Sequence, residues 1–126
     1  MSTIHPKIII AGLVFLFIFL SGFWLSRNGS PYGTGLLAIH KLISLGIFVF
    51  LIVTVVKVNK ETGLSGSEWT LGIITAVFFI GTILAGGLLS TDLELPTAVL
   101  TIHHITPYLT LLLTVATLYL LLNSKL

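Results

Sequence analysis

No cysteine occurs anywhere in the 126 residues. Disulfides, thiol redox chemistry, thiolate-held zinc and cysteine-ligated iron–sulfur clusters are therefore excluded. The four-helix membrane enzymes that exchange disulfides fall with them. Charge is almost as scarce, at 8% of the residues, where a soluble domain carries about 25%. The four acidic residues, Glu61, Glu68, Asp92 and Glu94, stand in polar stretches or at the ends of apolar ones. No carboxylate is available inside an apolar run to couple protons to a substrate, which argues against a small proton-coupled exporter. No nucleophile–base–acid set comes together either, so a hydrolase is not expected. A net charge of +2 is too small to suggest nucleic acid.

What the chain has instead is apolar length. Hydrophobic residues make up 56% of it and the mean hydropathy is +1.14. About 20 mostly apolar residues cross the roughly 30 Å hydrocarbon core of a bilayer. Four segments meet that requirement: residues 8–26, 35–58, 69–90 and 96–123. The first follows Lys7 near the start of the chain, where a signal peptide would lie. Its apolar run is too long for that, and Ser21-Gly22-Phe23-Trp24 makes a poor cleavage site. The expectation is an all-α membrane protein in one domain, with short connections that make successive helices antiparallel neighbours. The simplest architecture is an up-down-up-down four-helix transmembrane bundle, helix 1 diagonal to helix 3 and helix 2 to helix 4.

Basic residues set an expected orientation. Lys7, Lys57, Lys60 and Lys125 share one end; Arg27 and Lys41 share the other with Asp92 and Glu94. The positive-inside rule then puts both termini in the cytoplasm of a multi-pass cell-membrane protein. Trp24 and Trp69 fall near span ends, where interfacial indoles lie. Asn28-Gly29-Ser30 matches a glycosylation pattern that carries no further information.

An internal repeat singles out one end of the bundle. Helix 1 closes on Leu20-Ser21-Gly22-Phe23-Trp24-Leu25-Ser26, and helix 3 on Leu84-Ala85-Gly86-Gly87-Leu88-Leu89-Ser90. The helices that follow open on Ala38-Ile39-His40-Lys41-Leu42 and Thr101-Ile102-His103-His104-Ile105. Ser26 precedes His40 by fourteen positions, and Ser90 precedes His103 by thirteen. The repeat thus consists of two hairpins with Gly22 matched to Gly86 and His40 to His103. A two-fold axis along the membrane normal would place the two imidazoles at equal depth on one diagonal, about 7–10 Å below the helix ends at about 1.5 Å per residue. The two glycines would share that depth on the other diagonal.

Two facing imidazoles with bare backbone beside them suit a haem, whose iron takes an axial ligand on each face. On this reading Gly22 and Gly86 clear the edge of the macrocycle. Arg27, Lys41, Tyr32 and Tyr108 supply polar or cationic company for the propionates. His103, Pro107, Thr110, Thr114 and Thr117 form a stripe at three- and four-residue steps. Small polar residues in membrane helices face the interior, so His103 is expected inward. Its neighbour His104 points about 100° away and matches Lys41, as a propionate partner or an outer-end polar residue rather than an axial ligand.

These residues resemble the four-helix membrane b-type cytochromes of the bacterial quinol-coupled and ascorbate-reducible kinds. The resemblance implies haem b, electron transfer, and either quinol or a membrane redox complex as partner. Those families commonly carry two haems, with histidine pairs toward both membrane faces. Here helix 3 has no histidine, and His5 stands beside Pro6 before the first span. One haem is therefore the expected maximum, near the outer face. It would exchange electrons with quinol or an outer-side partner, alone or within an oligomer or larger complex.

Two other readings stand beside it. His40, His103 and His104 could hold a non-haem metal, or the histidines could make only interhelical hydrogen bonds in a scaffold or assembly subunit. Gly81, Gly86 and Gly87 could equally serve close helix packing.

Overall fold

The computed structural model describes residues 3–29 and 32–123. Lys125, used above for orientation, and Ser30 and Pro31 of the first connection lie outside them. Four helices run in order: α1 Pro6–Asn28, α2 Thr34–Thr62, α3 Gly66–Leu89 and α4 Thr97–Leu118, the last passing into a π-helical turn, Tyr119–Asn123. All four are long and apolar enough to cross a membrane. Each packs against its chain neighbours, and α4 closes the ring on α1, so α1 lies diagonal to α3 and α2 to α4. This is the expected antiparallel bundle.

The helices outrun their apolar segments. Backbone groups in lipid must be bonded internally, and helix geometry does not stop where the hydrocarbon stops. α2 therefore carries Lys57, Lys60 and Glu61 in its last turns, and the polar stretch expected to connect α2 to α3 shrinks to Gly63–Ser65. Gly63 ends α2 at a φ of 71°, a left-handed conformation open to glycine at little cost. Ser65 opens α3 with a capping box: its hydroxyl accepts from Glu68 N–H while the Glu68 carboxylate accepts from Ser65 N–H at 2.9 Å. Ser65→Ala is expected to cost about 1 kcal/mol, measurable as an earlier loss of helicity on titration with denaturing detergent. His5 caps α1 by accepting from Lys7 N–H at 3.1 Å, which gives that histidine a structural role away from the spans.

The buried apolar core lies in one half of the bundle. It comprises Ile8, Ala11 and Phe15 of α1, Ile47, Leu51 and Val58 of α2, Phe79 of α3, and Leu118, Leu121 and Leu122. These positions lie toward the end that holds the chain's first and last described residues, called here the lower end. Its top layer is aromatic. Phe79 packs on Phe15 with ring centroids 5.8 Å apart and on Phe48 at 5.2 Å; Phe19 stacks on Tyr108 at 5.0 Å. At the lower end Asn123 accepts from His5 N–H at 3.0 Å and donates to the Thr3 carbonyl at 2.9 Å.

A histidine pair in the upper half

Above the phenylalanine layer the interior changes character. The buried residues there are Ser21, Leu25 and Ala85, mostly small, and His40 and His103 stand beside them at this level. Each histidine stands six residues into its helix, counted from Thr34 and from Thr97, or about 9 Å below the helix start. Both are half-buried. Depth matching across the α2–α4 diagonal is what the repeat implies.

The seating of the two rings is the same in each hairpin. A methyl group on Gly22 would lie 3.0 Å from His40 Cε1, and one on Gly86 would lie 2.6 Å from His103 Cε1. In both cases Cε1 is the nearest ring atom and the two nitrogens follow. Each imidazole therefore rests edge-on against the bare backbone of its hairpin partner. The glycines make room for the histidines themselves.

Nδ1 is anchored equivalently as well. His103 Nδ1 lies 3.0 Å from the carbonyl oxygen of Thr82, one turn before Gly86. The matching carbonyl one turn before Gly22 is that of Ile18. Here Ser21 intervenes: its Oγ is 2.8 Å from His40 Nδ1 and donates to the Ile18 carbonyl at 3.0 Å. A hydroxyl that gives its proton to a carbonyl has only lone pairs left for the imidazole. His103 Nδ1 must donate to make its carbonyl bond, and the Ser21 hydroxyl bonded to Ile18 lets His40 Nδ1 donate in the same way, which leaves Nε2 as the unprotonated nitrogen of a neutral ring. Ala85 replaces Ser21 in the second hairpin, so His103 donates to the carbonyl directly.

Ser21 and the Ile18 and Thr82 carbonyls went unnoticed in the sequence. The glycine steps 18–22 and 82–86 place them one helical turn from the ring seats, which was the available signal. The threonine stripe of α4 is inward as expected, with Thr110, Thr114 and Thr117 all buried. His104 is exposed, in keeping with its position beside the inward His103. Lys41, its counterpart, is also exposed and donates to Ser90 Oγ at 2.7 Å, tying α2 to the upper end of α3. Arg27 and Tyr108 are exposed and Tyr32 is half-buried. Among the described residues no three histidine, cysteine or carboxylate side chains come together as a metal site. Comparison with protein families, with curated proteins and with solved structures finds no match to this chain.

Proposed function

We propose that this protein is a small membrane b-type cytochrome that carries one haem between α2 and α4, with His40 and His103 as axial ligands. The observation that carries the reading is the matched anchoring of the two rings, each with Nδ1 against an oxygen of its hairpin partner helix. An imidazole that ligates a metal through Nε2 is characteristically oriented by a hydrogen bond from Nδ1–H to a carbonyl or similar acceptor. His103 has that bond to Thr82 O and His40 has it to Ser21 Oγ. Such an acceptor fixes the ring and raises the basicity of the ligating nitrogen.

The surroundings fit a flat group at this level. Small residues, Ser21, Gly22, Ala85 and Gly86, line the two helices flanking the histidines. Apart from Leu25, the large core residues begin at Phe15 and Phe79, and the lower half is filled by Leu51, Leu118 and Leu121. That filling, together with the single intramembrane histidine pair, favours one haem over two. Arg27, Lys41 and His104 are the upper-end residues available to the propionates, and Lys41 would exchange its contact with Ser90 for one of them.

When bound, the haem supplies one-electron chemistry. The chain's residues hold the iron, set its ligand basicity through Ser21 and Thr82, and keep water from the lower side with the phenylalanine layer. By the positive-inside rule, Lys7, Lys57 and Lys60 place the lower end in the cytoplasm and the histidine pair toward the outer face of the cell membrane. Quinol in the bilayer or an outer-side protein is then the partner within reach.

An absorption spectrum of the detergent-purified full chain, expressed with ample haem, tests this reading. The expected result is a Soret band that shifts and sharpens on dithionite addition, with resolved α and β bands. A featureless spectrum in folded protein would overturn it and leave the histidines as interhelical hydrogen-bond partners.

A further inference from the structure

The α3–α4 interface carries a second polar feature, separate from the histidine pair. Its buried threonines normally bond the carbonyl one turn back. Thr75 donates to Leu71 O at 2.7 Å, Thr110 to Thr106 O at 2.8 Å, and Thr117 to Leu113 O at 2.8 Å. On α2, buried Thr54 does the same to Phe50 O at 2.8 Å. Thr114 departs from this pattern. It is 0% exposed, and its Oγ1 has no hydrogen-bond partner among the described residues.

Its position explains what the hydroxyl faces. Thr114 lies on the inward stripe of α4, four residues after Thr110 and three before Thr117. Above it, Thr82 Oγ1 lies 2.8 Å from Thr106 Oγ1 and 3.3 Å from Thr110 Oγ1. Below it, Thr75 and Thr117 hydroxyls meet at 2.9 Å. The step from Thr114 to either cluster is about 4.5–6 Å along the axis, which is too long for one hydrogen bond and suited to two in series. An unbonded hydroxyl in an apolar interior is costly, and a buried water needs two to four polar partners. Thr110 and Thr117 give their protons to carbonyls and retain lone pairs for a further donor.

We infer that Thr114 holds one buried water molecule, which links the Thr82–Thr106–Thr110 cluster to the Thr75–Thr117 pair. The water accepts the Thr114 proton and donates to the hydroxyl oxygens on either side. A continuous polar seam then follows the α3–α4 interface from the Thr82 carbonyl beneath His103 toward the lower end. The inference is independent of what the histidines bind.

Water-edited solid-state NMR of the full-length protein in deuterated lipid bilayers tests it. The quantity read is the rate of magnetisation transfer from water to the Thr114 methyl, with Thr54 as the dry buried threonine. The expected result is transfer several-fold faster at Thr114 than at Thr54. In Thr114→Val, transfer to Thr110 and Thr117 should fall to the Thr54 rate, while unchanged chemical shifts on α1 and α2 report an intact fold. Transfer at Thr114 as slow as at Thr54 would overturn the inference, and so would fast transfer at Thr110 and Thr117 that survives the valine substitution. Should Thr114→Val fail to fold, the wild-type comparison of Thr114 with Thr54 decides alone.

Discussion

On the proposed haem-binding reading, replacing either His40 or His103 with alanine is expected to abolish the low-spin haem spectrum of the purified protein. His104→Ala is expected to leave it in place with a shifted midpoint potential. The contrast follows from position. His40 and His103 are half-buried at matched depth, each with Nδ1 anchored and Nε2 free, whereas His104 is exposed one residue further along α4. If the two histidines hold the iron as proposed, loss of one would leave it a ligand short, so even retained haem would turn high-spin. Visible absorption before and after reduction, with electron paramagnetic resonance of the oxidised form, distinguishes the two outcomes. A normal bis-histidine spectrum in His103→Ala would overturn the ligand assignment.

The second large effect is expected at Gly86 and needs no haem to be read. A methyl group there would sit 2.6 Å from His103 Cε1, a separation that forces the ring to move. The ring cannot swing away freely, because its Nδ1 is held by the Thr82 carbonyl at 3.0 Å. Gly86→Ala should therefore destabilise the protein by about 1–3 kcal/mol, the cost of a displaced ring and a lost buried hydrogen bond. At Gly22 the same methyl would lie 3.0 Å from His40 Cε1, so a smaller loss is expected. Gly81 is the control: it is exposed, lies in the same helix as Gly86, and a methyl there meets nothing within 4 Å. Gly81→Ala should stabilise by up to about 1 kcal/mol, from helix propensity alone. Unfolding midpoints in mixed detergent would rank the three variants. Equal effects at Gly86 and Gly81 would show that the histidine seat is not a packing constraint.

The bundle was legible from composition because lipid leaves few alternatives. A chain with four apolar runs and short polar connections can satisfy its backbone only as helices, and short connections make them antiparallel. Helix ends were less legible: hydropathy marks where side chains meet hydrocarbon, while Thr62 and Gly66 mark where backbone geometry breaks. The histidine level was readable because Gly22, His40, Gly86 and His103 recur in the same order. The meaning of the glycines was not, since a one-dimensional pattern places Gly22 and His40 at one depth without saying that the ring lies on the glycine. Ser21 was invisible for a related reason. A serine in an apolar helix ordinarily bonds its own backbone, as Ser21 does to Ile18. Only the fold shows that its remaining lone pairs face His40.

The repeat also has a consequence for how the molecule can be divided. Each hairpin contributes one ring, one glycine seat and one anchoring oxygen, so neither half owns the histidine pair. It exists only at the seam between them. The connection at Gly63–Ser65 joins the halves at the end remote from the rings, so a backbone cut there severs no contact around either seat. The chain is in effect two interlocking pieces. The closeness of His40 to His103 is a direct gauge of whether those pieces have come together.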